Sequence, residues 1–151
     1  MKDQELYQEM ILDHYRNPRN CCSMADATHC AEGDNPLCGD HLEVFVKVDG
    51  KIIQEINFQG SGCAVSQASA SMMTESLKGR TVEEALEVFD KVHVMLTGYH
   101  PDDESENNKS LGKLEALSGV AQFPIRIKCA SLAWHTLKSA LKQEEEPVST
   151  E

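Results

Sequence analysis

The sequence predicts an α+β fold, from three observations. An amphipathic helical stripe opens the chain, one clear β-hairpin follows it, and the second half carries helical patterns with no further strand alternation. The arrangement expected is a small antiparallel three-stranded sheet with helices packed on one face. Residues 1–141 form a single domain and residues 142–151 an acidic tail without fixed structure.

The opening helix spans Lys2 to Arg16. Tyr7, Met10, Ile11, His14 and Tyr15 share one face, and Pro18 ends the segment. His14 and Tyr15 read as packing residues of that face. Ala27 to Glu32 reads as a short strand and Gly33-Asp34-Asn35-Pro36 as a loop. His41 to Val48 then alternates, with Leu42, Val44, Val46 and Val48 on one side. Asp49-Gly50 is a two-residue hairpin turn, and Lys51 to Gln59 returns with Ile52, Ile56 and Phe58 on one face.

Gly60-Ser61-Gly62 breaks the strand, and Cys63 to Lys78 reads as a helix stopped by Gly79. Within it, Met72 and Met73 read as core, and Ser66, Ser69 and Ser71 as residues that allow close helix packing. Thr81 caps the next helix, and Glu84 three residues later completes a capping box. Val82, Leu86, Val88, Phe89 and Val92 carry that helix to about Leu96. Gly98 to Ser110 is polar and reads as a long surface loop, and Leu114 to Leu117 as a turn of helix. Phe123-Pro124 opens the last helix, buried through Leu132, Ala133, Leu137, Ala140 and Leu141.

The net charge of −11 argues against nucleic acid and anionic membranes as partners, because both demand clustered Lys and Arg. No segment reaches the ~18 consecutive apolar residues of a membrane span, and no apolar segment follows the first residues. A cytoplasmic location is the expectation. In a reducing compartment the six cysteines read as thiols or metal ligands.

Three cysteines sit at positions suited to chemistry. Cys38 lies in Leu37-Cys38-Gly39-Asp40, where the glycine lets the chain fold so that Cys38 and Asp40 turn toward one point. Cys63 lies at a strand-to-helix junction, where backbone N–H groups favour a thiolate. Cys129 lies early in the last helix, with Arg126 and Lys128 beside it. Three thiolates and a carboxylate suit tetrahedral zinc, and iron or an iron–sulfur cluster accepts the same set. Spacing alone leaves open three separate buried thiols, because there is no Cys-x-x-Cys pair.

The chain resembles the SufU type of the IscU/NifU-like iron–sulfur assembly proteins over about Leu6 to Leu141. The resemblance rests on several segments. Asp13-His14-Tyr15-Arg16-Asn17-Pro18-Arg19-Asn20 comes first, then Asn35-Pro36-Leu37-Cys38-Gly39-Asp40 and Phe58-Gln59-Gly60-Ser61-Gly62-Cys63. Ser66 to Thr74 and Phe123-Pro124-Ile125-Arg126-Ile127-Lys128-Cys129-Ala130 complete it. It implies that Cys38, Cys63 and Cys129 converge with Asp40 as fourth ligand. It also implies sulfur uptake from a pyridoxal-phosphate-dependent cysteine desulfurase, with delivery to a downstream cluster-assembly scaffold.

Lys128 stands where IscU-like scaffolds carry histidine before the third cysteine, and such scaffolds lack the long connection from about Gly98 to Gln122. Both features match the SufU branch, where the resemblance implies zinc and sulfur acceptance. Cys38, on a loop, is the expected acceptor, and the chain is then a sulfurtransferase-like partner rather than a stand-alone enzyme. A direct cluster scaffold and a zinc-stabilised binding protein are the two alternatives. Arg126 and Lys128 read either as solvated charge or as support for thiolates. Cys21, Cys22 and Cys30 read as buried or half-buried thiols, and His41 as solvent-facing or as a residue orienting Asp40.

Overall fold

Alternating burial along the strands decides the sheet. The computed structural model describes residues 2–36, 38–97, 112–142 and 148–149. Helix α1 (Lys2–Arg16) is followed by β1 (His29–Asn35), β2 (Asp40–Asp49) and β3 (Ile52–Ser61). Then come α2 (Ala64–Leu77), α3 (Val82–Thr97), a 3-10 helix (Gly112–Gln122), α4 (Pro124–Leu141) and β4 (Val148–Ser149). The strand order is β3-β2-β1-β4, with β1, β2 and β3 antiparallel and β4 parallel to β1.

Leu42, Val44 and Val46 of β2 point to one side and are fully buried there. With Ile53, Ile56 and Phe58 of β3 they meet Met72, Met73 and Leu77 of α2 and Leu132, Ala133 and Leu137 of α4 in one core. The alternate residues of β1 and β2 face the open side of the sheet. Helices thus cover one face, as the patterning predicts. Thr81 and Glu84 form the capping box reciprocally: each backbone N–H meets the other's side-chain oxygen at 3.0 Å.

Three local expectations change. β1 runs through Gly33-Asp34-Asn35, which reads as a loop in sequence. Gly33 serves packing there, since a Cβ at that position would collide with Thr136 Oγ1 of α4. In β3, Ile53 is buried and Ile52 exposed. Lys47 pairs with Glu55 and Val48 with Ile53, so Gln54 is an extra residue that turns Ile53 inward. In the tail, Val148 and Ser149 pair with Gly33 and Asp34 along the edge of β1. An unpaired edge accepts such a segment. The loop expected from Gly98 to Ser110 lies outside the described residues.

His14 is a buried packing residue, as read from sequence, whereas Tyr15 beside it is exposed, because one residue on turns it about 100° around the helix. Arg19 N donates to Ser71 Oγ at 2.8 Å, and the hydroxyl in turn meets His14 Nδ1 at 2.7 Å. Burial pushes the His14 pKa below its ordinary value, and Glu75, 3.9 Å from Nε2, does not reverse this. Burial lowers His135 as well, with His93 and Lys138 adding to the effect. A depressed histidine contributes stability above its unfolded pKa of about 6.5, and that stability is lost as pH falls through the folded pKa. His41 acts in the opposite sense, raised by its hydrogen bond to Asp34, but its side chain is 42% exposed and solvent screens it. Urea midpoints are therefore expected to fall between about pH 7 and pH 5, and to fall less in His14→Gln. An unchanged pH slope in that variant would reject the assignment.

Candidate metal centre

Three element ends meet at one point. The chain leaves β1 at Asn35 and turns back into β2 at Asp40, with Cys38 N donating to Asn35 O at 3.2 Å. Gly39 takes a φ of +70° in that turn, which only glycine adopts readily. At the second end, β3 passes through Gly60-Ser61-Gly62 into α2, with Cys63 as N-cap. A Cβ on Gly62 would run into Asp40 Oδ1, so this glycine makes room for the carboxylate. Asp40 Oδ1 accepts the Cys63 N–H at 2.8 Å, which places a negative group at the positive end of α2. The third end is the start of α4, where Pro124 sits in the first turn and Cys129 follows.

A sulfur of Cys38, a carboxylate oxygen of Asp40 and the sulfur of Cys129 all lie within 4.8 Å of one another. Cys63 flanks them, close enough to Cys129 to oppose ionisation of its thiol. Its sulfur does not come within that radius of all three. Tetrahedral binding at metal–sulfur distances of about 2.3 Å sets neighbouring ligand atoms roughly 3.5–3.8 Å apart, so Cys63 must draw closer for all four to bind one ion. Burial, then the neighbouring Cys38, Asp40 and Cys63, push the Cys129 thiol pKa up in the absence of a cation. Thiols and a carboxylate crowded together in this way are the donor set that zinc or iron accepts, and ion binding must expel protons.

Asn35 completes the site, and the sequence reading missed it. Its side chain is fully buried, and Nδ2 donates to Asp40 Oδ2 at 3.2 Å and to Cys129 Sγ at 3.4 Å. Asn35 and Asp40 face each other across β1 and β2. The signal available was an amide five residues before the aspartate in a short turn. Its Oδ1 has no hydrogen-bond partner among the described residues.

Arg126 lies against Cys129 and near Cys63 and Cys38, and these thiols raise its pKa. That places positive charge beside the thiols. Lys128 is half-buried on the same helix. His41 does not orient Asp40. It points to the other face of the sheet and bonds Asp34 Oδ1 through Nδ1 at 2.7 Å.

Cys21, Cys22 and Cys30 are exposed, a correction to the expectation of buried or half-buried thiols. Cys30 falls on the open face by strand parity, and Cys22 receives Asn57 Nδ2 at 3.2 Å. Ser66, Ser69 and Ser71 are buried. Ser69 Oγ donates to Ala130 O at 2.6 Å, joining α2 to α4.

By fold and site, this is a small α+β domain whose thiols and carboxylate gather at one candidate metal centre. The family described as NifU-like N terminal domain matches residues 6–130. The zinc-dependent sulfurtransferase SufU of Bacillus subtilis is 43% identical over 140 residues, covering 93% of this chain and 92% of that protein. The iron–sulfur cluster assembly scaffold protein IscU of Thermotoga maritima is 37% identical over 142 residues, 94% and 96% of the two chains. A crystal structure of a candidate iron–sulfur cluster assembly scaffold for the SUF system, from Fervidobacterium islandicum AW-1, superposes with a TM-score of 0.82. It is 35% identical and covers 91% of this chain and 97% of that one. The chain belongs to this NifU-like family of iron–sulfur cluster assembly proteins.

Proposed function

We propose that this chain accepts sulfur at Cys38 from the persulfide of a pyridoxal-phosphate-dependent cysteine desulfurase and passes it to a downstream cluster-assembly scaffold in the cytoplasm. The observation that carries the reading is the convergence of Cys38, Asp40 and Cys129, with Cys38 half-buried on a turn and Cys129 fully buried. Only the more accessible thiols can meet a persulfide presented by another protein. The zinc named for the Bacillus relative suits the donor set here, and Cys38, Asp40, Cys63 and Cys129 would hold it. Zinc would supply redox-inert charge that keeps thiols deprotonated.

The transfer balances without an oxidant. The Cys38 thiolate attacks the outer sulfur of the enzyme persulfide, and a Cys38 sulfur–sulfur bond forms. The bond between that sulfur and the enzyme cysteine breaks, and the electron pair departs with the enzyme thiolate. Arg126 stands beside the thiols and favours the anionic form at the moment of attack. Phe123 and Ile125, 59% and 63% exposed, flank it and give a protein partner an apolar surface next to the site. Among the described residues no helix is long and apolar enough to cross a membrane.

Cys38→Ser is expected to lower the chain's stimulation of desulfurase turnover by on the order of a hundredfold and to remove the one-sulfur mass increment. Undiminished stimulation, or the increment mapping to Cys63, would remove Cys38 from the role. Bound iron with visible absorbance in the purified protein would replace this reading with that of a direct cluster scaffold.

A further inference from the structure

The open face of the sheet carries a second group of ligands. Glu32 and Glu43 sit directly opposite each other across β1 and β2, and Asp34 and His41 form the next pair along the same face. A carboxylate oxygen of Glu32, one of Glu43 and a ring nitrogen of His41 all lie within 4.8 Å of one another. Like charges directly opposite in an antiparallel pair destabilise it, so this register works against the sheet unless a cation joins them. His41 Nδ1 meets Asp34 Oδ1 at 2.7 Å. A carboxylate only accepts, so Nδ1 is the donor of that bond and Nε2 is the nitrogen that would meet an ion, giving up its proton where it carries one. A histidine whose other nitrogen is held by a carboxylate is the usual form of a metal-ligating imidazole. Gln59 Nε2 approaches Glu43 Oε1 at 3.5 Å from β3.

We infer that Glu32, His41 and Glu43 bind one divalent transition-metal ion on the open face of the sheet, separately from the cysteine centre. One imidazole and two carboxylates suit Mn²⁺, Fe²⁺, Co²⁺ and Zn²⁺, whereas Ca²⁺ and Mg²⁺ prefer all-oxygen sites. The ligands stand on two hydrogen-bonded strands with a fixed register, so their spacing is set before the ion arrives. The ion ties β1 to β2 one to three pairs away from Asn35 and Asp40, which face the helices. Metal on one side of the sheet then steadies the strand ends that build the centre on the other.

Mn²⁺ alone is the probe, because it avoids thiolates, and free Mn²⁺ is counted by electron paramagnetic resonance. The full chain is expected to bind about one Mn²⁺ with a dissociation constant below about 1 mM. Glu43→Gln and His41→Gln are each expected to weaken that binding at least tenfold, whereas Cys63→Ser leaves it unchanged. Mn²⁺ is expected to raise the melting temperature of the parent chain and not that of Glu43→Gln. In metal-free buffer Glu43→Gln melts higher than the parent, because the opposed charges are gone. The inference is overturned if the parent binds no Mn²⁺, if Glu43→Gln binds as the parent does, or if Cys63→Ser alone abolishes binding.

Discussion

Asp40→Ala is expected to lose metal at the cysteine centre by about 100-fold or more in affinity. Groups that only support a ligand already carry 10–100-fold effects. The metal-free fold is expected to suffer less. Cys63 N–H stands at a helix end and turns to water, but Asn35 Nδ2 is fully buried and keeps only the Cys129 sulfur as partner. One poorly satisfied buried donor costs about 1–3 kcal/mol. Removing a carboxylate from crowded thiols relieves part of that. Asp40→Asn removes the charge and keeps an Oδ1 acceptor for the Cys63 N–H, with the Asn35 amide turning over so that its Oδ1 accepts from the new Nδ2. Competition against a chelator reads the affinity, and urea unfolding of metal-free protein reads the stability. An Asp40→Ala protein that holds metal as tightly as the parent would remove Asp40 from the ligand set.

Trp134→Ala is expected to be the most destabilising single change in the core, at about 3–5 kcal/mol. Trp134 is essentially fully buried in α4, and its Nε1 donates to Ser69 Oγ of α2 at 3.1 Å. The same hydroxyl donates to Ala130 O, so one serine ties the two helices at adjacent points. Because α2 begins at Cys63 and α4 carries Cys129, the contact also sets how the two thiols meet. Trp134→Phe keeps most of the apolar bulk and loses mainly the hydrogen bond, near 1 kcal/mol. Urea denaturation of both metal-free variants checks this. A cost below about 1.5 kcal/mol for the alanine variant would mean that the helices are held elsewhere.

Local rules made most of the architecture legible. The alternation of β2 and the Thr81–Glu84 box are signals contained within a few residues and appear as read, and the hairpin falls at the expected place with its turn moved on by one, since Asp49 pairs with Ile52 and leaves Gly50-Lys51 as the two turn residues. What escaped was decided by distant neighbours. Gly33-Asp34-Asn35 has a loop's composition, yet it lies in a strand because α4 packs against that glycine. Gln54 has nothing in its type that marks a bulge; the burial of Ile53 against the helices puts it there. The thiol-bearing residues were legible as chemistry, and the resemblance grouped them. Asn35 was not legible as part of the site, because its role depends on facing Asp40 across the sheet and reaching Cys129 of a helix far along the chain.

The three ends that build the centre are joined at different stages of chain collapse. The β2–β3 hairpin and the start of α2 are near neighbours in sequence, whereas α4 reaches the sheet only after most of the chain has been laid down. Long-range docking of this kind comes late, since its closure entropy must be met first. An ion shared by the β1–β2 turn and α4 would meet its full set of ligands only with α4 seated. Cys129 is fully buried at the start of α4 whereas Cys38 is half-buried on its turn, so an ion bound between them would be let go first on the Cys38 side, with α4 still seated.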